Sequence, residues 1–88
     1  MEIEFLGKAL DDIDYWKKSG NKSIQKRITK LLESMSKTPW KGIGKPEPLK
    51  HELSGYWSRR INEEHRIVYT ISKNRIKVIS MRFHYKQY

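Results

Sequence analysis

One glutamate, Glu47, stands between two prolines in the run KPEPLKH at residues 45–51, with Lys45, Lys50 and His51 around it. Each proline fixes its own φ and drives the preceding residue toward extended geometry, so Glu47 keeps little backbone freedom. A carboxylate pinned in this way, in a chain of net charge +9, reads as an aimed group. Further along, Arg60 and Arg66 supply planar forks that match a phosphate, and His84 supplies a side chain that exchanges protons near neutral pH. Together these are the parts of an RNA transesterification. It needs a base for the 2′-hydroxyl, cations for the charge that builds on the phosphorane, and an acid for the departing 5′-oxygen. RNA carries its own nucleophile, so this chemistry requires no metal, and Lys50 lies close enough in sequence to assist.

Each of these residues also has an ordinary reading. Glu47 could pair with Lys45 or Lys50 at the surface, where ion pairs contribute little. His84 could be an exposed histidine beside a basic tail. The run Glu63-Glu64-His65-Arg66 has the residue types of a metal site, but no second histidine stands at ligand spacing and no aspartate cluster accompanies it. No metal and no cofactor are expected. Trp40, Tyr56, Trp57 and Phe83 are expected as core or anchor residues, whereas Tyr85 and Tyr88 are better placed to stack on bases.

Length sets the frame for this chemistry. Eighty-eight residues make one domain, 1–88, with a single modest core. There is no cysteine, which fits a reducing cytosol, and the acidic start MEIEFLGKALDD resembles neither a secretory signal nor a membrane span. The chain is expected to be cytoplasmic. Its charge is uneven: residues 1–14 carry five acids and one lysine, residues 15–37 carry seven basic residues against Glu33, and residues 73–88 carry five basic residues and no acid. Such a surface attracts polyanions, of which nucleic acid is the commonest in the cytosol. An anionic protein partner would satisfy it as well.

The elements that must carry the candidate site follow from periodicity. MEIEFL alternates as a short edge strand. Residues 8–18 place Ala9, Ile13 and Trp16 at helical spacing, and Ser19-Gly20-Asn21 ends that helix. A second helix has Ile24, Ile28, Leu31, Leu32 and Met35 on one stripe, with Asn21 or Ser23 as cap and Pro39 as its stop. Residues 39–55 are rich in Pro and Gly, too long for a simple connection, and expected to be anchored by Trp40, Ile43, Leu49 and Leu53.

An antiparallel meander follows, YWSRRIN, HRIVYTIS and NRIKVISMRFHY. A three-residue loop at 62–64 sets Ile61 opposite His65, points Trp57, Ile61, Ile67, Tyr69 and Ile71 one way, and leaves Arg60 facing Arg66 on the other side. In the last strand Ile76 and Val78 alternate in one phase and Ile79, Met81 and Phe83 in the other. A β-bulge near Val78 reconciles them and carries Arg82 and His84 onto the Arg60–Arg66 face, with Arg82 as a further phosphate contact.

The run KGIGKPEPLKHELSGYWSRRINEEHRIVY, residues 41–69, strongly resembles the YoeB (Txe/YoeB) family of bacterial toxins, and the terminal MRFHY and N-terminal DDIDYW resemble that family's ends. The resemblance implies an α+β fold of the RelE and microbial-ribonuclease kind, with two N-terminal helices packed on a twisted antiparallel sheet. It implies a type II toxin that binds the ribosome and cleaves mRNA in the A site. By its motifs Glu47 would be the general base, His84 the general acid and Arg66 the stabiliser of the transition state. Arg60 and Lys50 would contact phosphate, and Tyr85 would position the substrate. Products would carry a 2′,3′-cyclic phosphate and a 5′-hydroxyl. The expected partners are a YefM-like antitoxin, the ribosome with its messenger, and a second copy of the toxin. The family pattern closes at its HY pair, whereas this chain continues with Lys86-Gln87-Tyr88. The competing reading is a basic module that blocks translation by occupying RNA or the ribosome without cutting.

Overall fold

The computed structural model describes residues 1–83. The order is β1 (Glu2–Phe5), α1 (Lys8–Lys18), α2 (Lys22–Lys37), β2 (Glu47–Pro48), a 3-10 turn (His51–Leu53), β3 (Trp57–Arg60), β4 (Arg66–Ser72) and β5 (Arg75–Ser80). The strands form one sheet in the order β1-β5-β4-β3-β2. Among the described residues no helix is long and apolar enough to cross a membrane.

Both helices form where the periodicity requires. Asn21 caps α2 by accepting the Ile24 N–H at 3.1 Å, and the chain leaves the helix at Thr38, before Pro39. The inward stripes bring Ala9 and Trp16 from α1 and Ile28, Leu31 and Met35 from α2 onto Ile61, Ile67, Tyr69, Ile76, Val78 and Met81 of the sheet side. The helices therefore cover one sheet face; on the other, Arg60 is exposed and Arg66 half-buried, while Ser58 and Val68 are buried.

The β3–β4 hairpin takes the register expected from the three-residue loop. Arg60 pairs with Arg66, Ser58 with Val68 and Trp57 with Tyr69. Asn62 closes the turn, its side-chain oxygen accepting the N–H groups of Glu64 and His65 at 2.9 and 2.7 Å. The bulge is present too. Tyr69 pairs with Val78 but Val68 pairs with Ser80, so Ile79 is the extra residue and both Val78 and Met81 reach the core.

Two expectations are corrected. The sheet is mixed rather than wholly antiparallel, because β1 runs parallel to β5, pairing Ile3 with Ile76 and Phe5 with Val78. In the 39–55 segment Leu49 is buried and Leu53 half-buried, but Trp40 and Ile43 are 54% and 42% exposed and anchor nothing. That segment is held instead through its backbone by Arg59, described below. At Gly44 the backbone has φ +83°, and its carbonyl accepts the Arg60 N–H at 2.7 Å. A Cβ there would lie 2.5 Å from Leu31 Cδ2 and 3.3 Å from the Arg60 carbonyl. Gly44→Ala is expected to lower stability by about 1–3 kcal/mol, seen as an earlier urea midpoint.

Candidate active site on the open sheet face

The site starts from β2, a two-residue edge strand laid on β3 with Glu47 opposite Ser58 and Pro48 opposite Trp57. An edge strand tolerates the two prolines because only one side of it is asked for hydrogen bonds. Its continuation is fixed at Leu49, whose N–H donates to the Tyr56 carbonyl at 2.9 Å and whose side chain is buried. Because Trp57 and Tyr69 face the helices, Ser58 and its partner Glu47 face the other way. Among the described residues no ion pair or side-chain hydrogen bond reaches the exposed Glu47 carboxylate. The surface pairing with Lys45 weighed above does not form.

On the same face Arg60 and Arg66 stand directly opposite each other across the β3–β4 pair. Like charges in that position repel. Among the described residues no carboxylate pairs with either guanidinium. Two uncompensated cations side by side are a seat for an anion. From strand spacing and rise, the Glu47 Cα lies about 8 Å from that of Arg60 and about 12 Å from that of Arg66. Side chains of these lengths can converge on one ribose–phosphate unit across such gaps. Lys50 lies three residues beyond Glu47, just before the 3-10 turn, and is exposed.

Arg82 is not in this group. Its guanidinium lies 3.5 Å from the centre of the Tyr15 ring and 4.7 Å from that of Phe83, beside Asp11, Asp14 and Lys18 of α1. The alternation that would have carried it to the Arg60–Arg66 face stops, because β5 ends at Ser80 and the chain turns toward α1 at Met81. His84 and Tyr85 lie outside the described residues.

Three functional supports escape a search for exposed chemistry. Arg59 is fully buried and points to the helix side, between Trp57 and Ile61 in the same alternation. Its Nε donates to Tyr69 Oη at 3.0 Å, Nη1 to Ser34 Oγ at 2.7 Å and the Ile43 carbonyl at 3.2 Å, and Nη2 to the carbonyls of Thr38 and Lys41 at 2.6 and 3.0 Å. Tyr69 in turn donates to the Pro39 carbonyl at 2.7 Å. Burial holds the Tyr69 phenol above its ordinary range, with Arg59 pulling the other way, so it remains a donor at neutral pH. The loop that leads to Glu47 is thus tied to the core through a cation with neutral partners.

Asp12 and His65 are the other two. Asp12 shares the α1 stripe with Ala9 and Trp16, is buried, contacts Lys8 Nζ at 2.6 Å and accepts the Met81 N–H at 2.9 Å. His65, also buried, sits across from Ile61 at the hairpin end. The sequence signal for all three was present: each falls on an inward position of a strand or helix otherwise filled by apolar residues. Among the described residues no group of three or more His, Asp or Glu could hold a metal ion.

Helices on one sheet face and, on the other, Glu47 beside the Arg60–Arg66 pair define a small basic α+β domain. The family described as the YoeB-like toxin of bacterial type II toxin-antitoxin systems matches residues 5–85. Toxin YoeB of Synechocystis sp. is 55% identical over 99% of this chain and 100% of its own length. The YoeB/ParE toxin from Agrobacterium tumefaciens superposes with a TM-score of 0.90 at 41% identity, covering 97% of this chain and 100% of that one. Staphylococcus aureus YoeB, solved as a dimer and in complex with YefM, superposes with a TM-score of 0.85 in each, at 45% and 46% identity, over 97% of this chain and 98% of that one. The chain belongs to the family of YoeB-like toxins of bacterial type II toxin–antitoxin systems.

Proposed function

We propose that this toxin is an endoribonuclease that cleaves mRNA in the ribosomal A site. The observation that carries the proposal is the Glu47 carboxylate, without an ion-pair partner among the described residues, on the same sheet face as the Arg60–Arg66 pair. Glu47 takes the proton of the 2′-hydroxyl. The freed oxygen attacks the adjacent phosphorus, and the phosphorane charge falls on Arg66, assisted by Arg60 and Lys50. The P–O5′ bond breaks as His84 donates its proton to the leaving oxygen, with Tyr85 helping to orient the substrate. The products are a 2′,3′-cyclic phosphate and a 5′-hydroxyl, with no metal in the sequence of steps.

A carboxylate is intrinsically a weak base, and binding energy from the ribosome, spent on alignment, offsets that weakness. The toxin acts in the cytoplasm, where the ribosomes are. Its inhibitor is a YefM-like antitoxin whose acidic segment covers the cationic face, and it forms a dimer with a second copy of itself, as the Staphylococcus aureus relative does.

The test is to map the ends of a defined messenger on programmed ribosomes. Cuts confined to the A-site codon, with 5′ ends that accept phosphate directly from a kinase and 3′ ends blocked by a cyclic phosphate, are expected. Growth arrest with intact messenger, or cut ends bearing 3′-hydroxyls, overturns the proposal.

A further inference from the structure

The chain that leads into His84 is gripped at three points by buried side chains. Asp12 accepts the Met81 N–H at 2.9 Å, Trp16 Nε1 donates to the Met81 carbonyl at 2.8 Å, and His65 Nδ1 accepts the Phe83 N–H at 2.7 Å. The last of these does something the first two do not. Phe83 has φ +64°, a backbone conformation that costs a non-glycine residue of the order of 1–3 kcal/mol and persists only when its surroundings impose it. Burial of the ring cannot impose it, since Phe83 is 49% exposed. Among the described residues the bond from His65 is the hydrogen bond that restrains this backbone, beside contacts of the Phe83 ring with Arg82 at 4.7 Å and with the His65 ring at 5.2 Å.

His65 is itself a fixed point. Its backbone N–H donates to Asn62 Oδ1 at 2.7 Å, its carbonyl accepts from Ile61 and Asn62 at 3.0 and 3.3 Å, and its ring meets Trp16 edge-on at 4.9 Å between centroids. A phenylalanine or leucine could fill that space equally well; only an acceptor at the Nδ1 position can hold the Phe83 amide. Accepting there puts the ring proton on Nε2, which lies 3.2 Å from Glu64 Oε1.

We infer that His65 is a positioning residue. By holding the Phe83 amide, it fixes the last described residue before His84, the proposed general acid, and cleavage depends on that anchor. This rests on the ribonuclease reading above. Displacements near 1 Å at a reacting centre can cost roughly 100-fold in rate, which is the scale on which such a latch matters.

The experiment compares His65→Leu, which removes the acceptor, with His65→Asn, whose amide oxygen falls near the place of Nδ1, in the full-length chain. Two readouts are taken: amide hydrogen exchange at Phe83, and steady-state cleavage on programmed ribosomes. His65→Leu is expected to raise Phe83 exchange roughly 10-fold or more and to lower kcat by roughly 10- to 100-fold with KM little changed, and His65→Asn to recover most of both. An unchanged Phe83 exchange rate, a wild-type kcat in His65→Leu, or an asparagine variant no better than leucine overturns the inference. Should His65→Leu fail to fold, the ring of the unaltered protein still decides it by nitrogen NMR: the Nε2–H tautomer supports the latch and the Nδ1–H tautomer overturns it. If the unaltered toxin cuts no messenger, it is the ribonuclease reading that fails, and the exchange and tautomer measurements still decide the latch.

Discussion

Glu47→Gln is expected to slow messenger cleavage on programmed ribosomes by roughly 10²- to 10⁴-fold, the usual contribution of a positioned general base. The amide is nearly isosteric but cannot take the 2′-hydroxyl proton at neutral pH. The carboxylate is exposed and has no partner among the described residues, so its loss leaves no group stranded and folding stability should scarcely change. That combination separates a catalytic role from a structural one. Glu47→Asp gives a finer reading, because it keeps the base but retracts it by one methylene from a strand that prolines on both sides hold still. An intermediate rate is expected, since β2 cannot slide to compensate. Cleavage by Glu47→Gln within a few-fold of the unaltered toxin would remove Glu47 from the chemistry.

Arg59→Leu is expected to be the most destabilising single change in the described fold, by about 3–5 kcal/mol. The side chain is fully buried and makes five hydrogen bonds with Tyr69, Ser34 and the carbonyls of Thr38, Lys41 and Ile43. Leucine fills part of the volume but removes all five of these donations; the Lys41 and Thr38 carbonyls keep other donors, whereas the Ile43 carbonyl and the Tyr69 and Ser34 hydroxyl oxygens lose theirs inside the protein, where each unpaired group is costly. A domain of this size has a total stability of only about 5–15 kcal/mol, so urea unfolding should begin at very low denaturant. Arg59→Lys keeps the charge, but one ammonium cannot reproduce a planar fork that reaches five partners, and a partial loss is expected. Near-normal unfolding of Arg59→Leu would show that the loop is held by something other than this cation. Because the loop over residues 38–44 runs directly into β2, the lysine variant should also cleave more slowly, through misplacement of Glu47 rather than loss of a reacting group.

Much of this architecture follows from local pattern alone. Helix limits are set by the Asn21 cap, by Pro39 and by stripes at helical spacing, all of which act over a few residues. The hairpin register follows because only a three-residue loop keeps Ile61, Ile67 and Tyr69 on one face, and a slip by one would expose them all. The phase change between Val78 and Met81 demands an extra residue, and Ile79 is that residue. The chemical identity of the second face was legible for the same reason: alternation that turns Ile67 toward the helices must turn Arg66 to the opposite side.

Tertiary structure decided the rest, where long-range packing chooses between locally equal options. Alternation in MEIEFL says which residues face inward but not which way the strand runs; the free edge of β5 and the helices that must cross the core made β1 parallel. The same alternation that buries Trp57 and Ile61 buries Arg59 between them, yet only the carbonyls converging from residues 38–43 make a buried guanidinium tolerable. With that cation holding the loop backbone, Trp40 and Ile43 are released to solvent. Arg82 left its expected face because Asp12 and Trp16 of α1 hold Met81 and turn the chain toward them. Residue types along the chain thus determine what chemistry the open face can offer. Which of those groups meet, and what holds them still, depends on hydrogen bonds between segments tens of residues apart, which no local periodicity encodes.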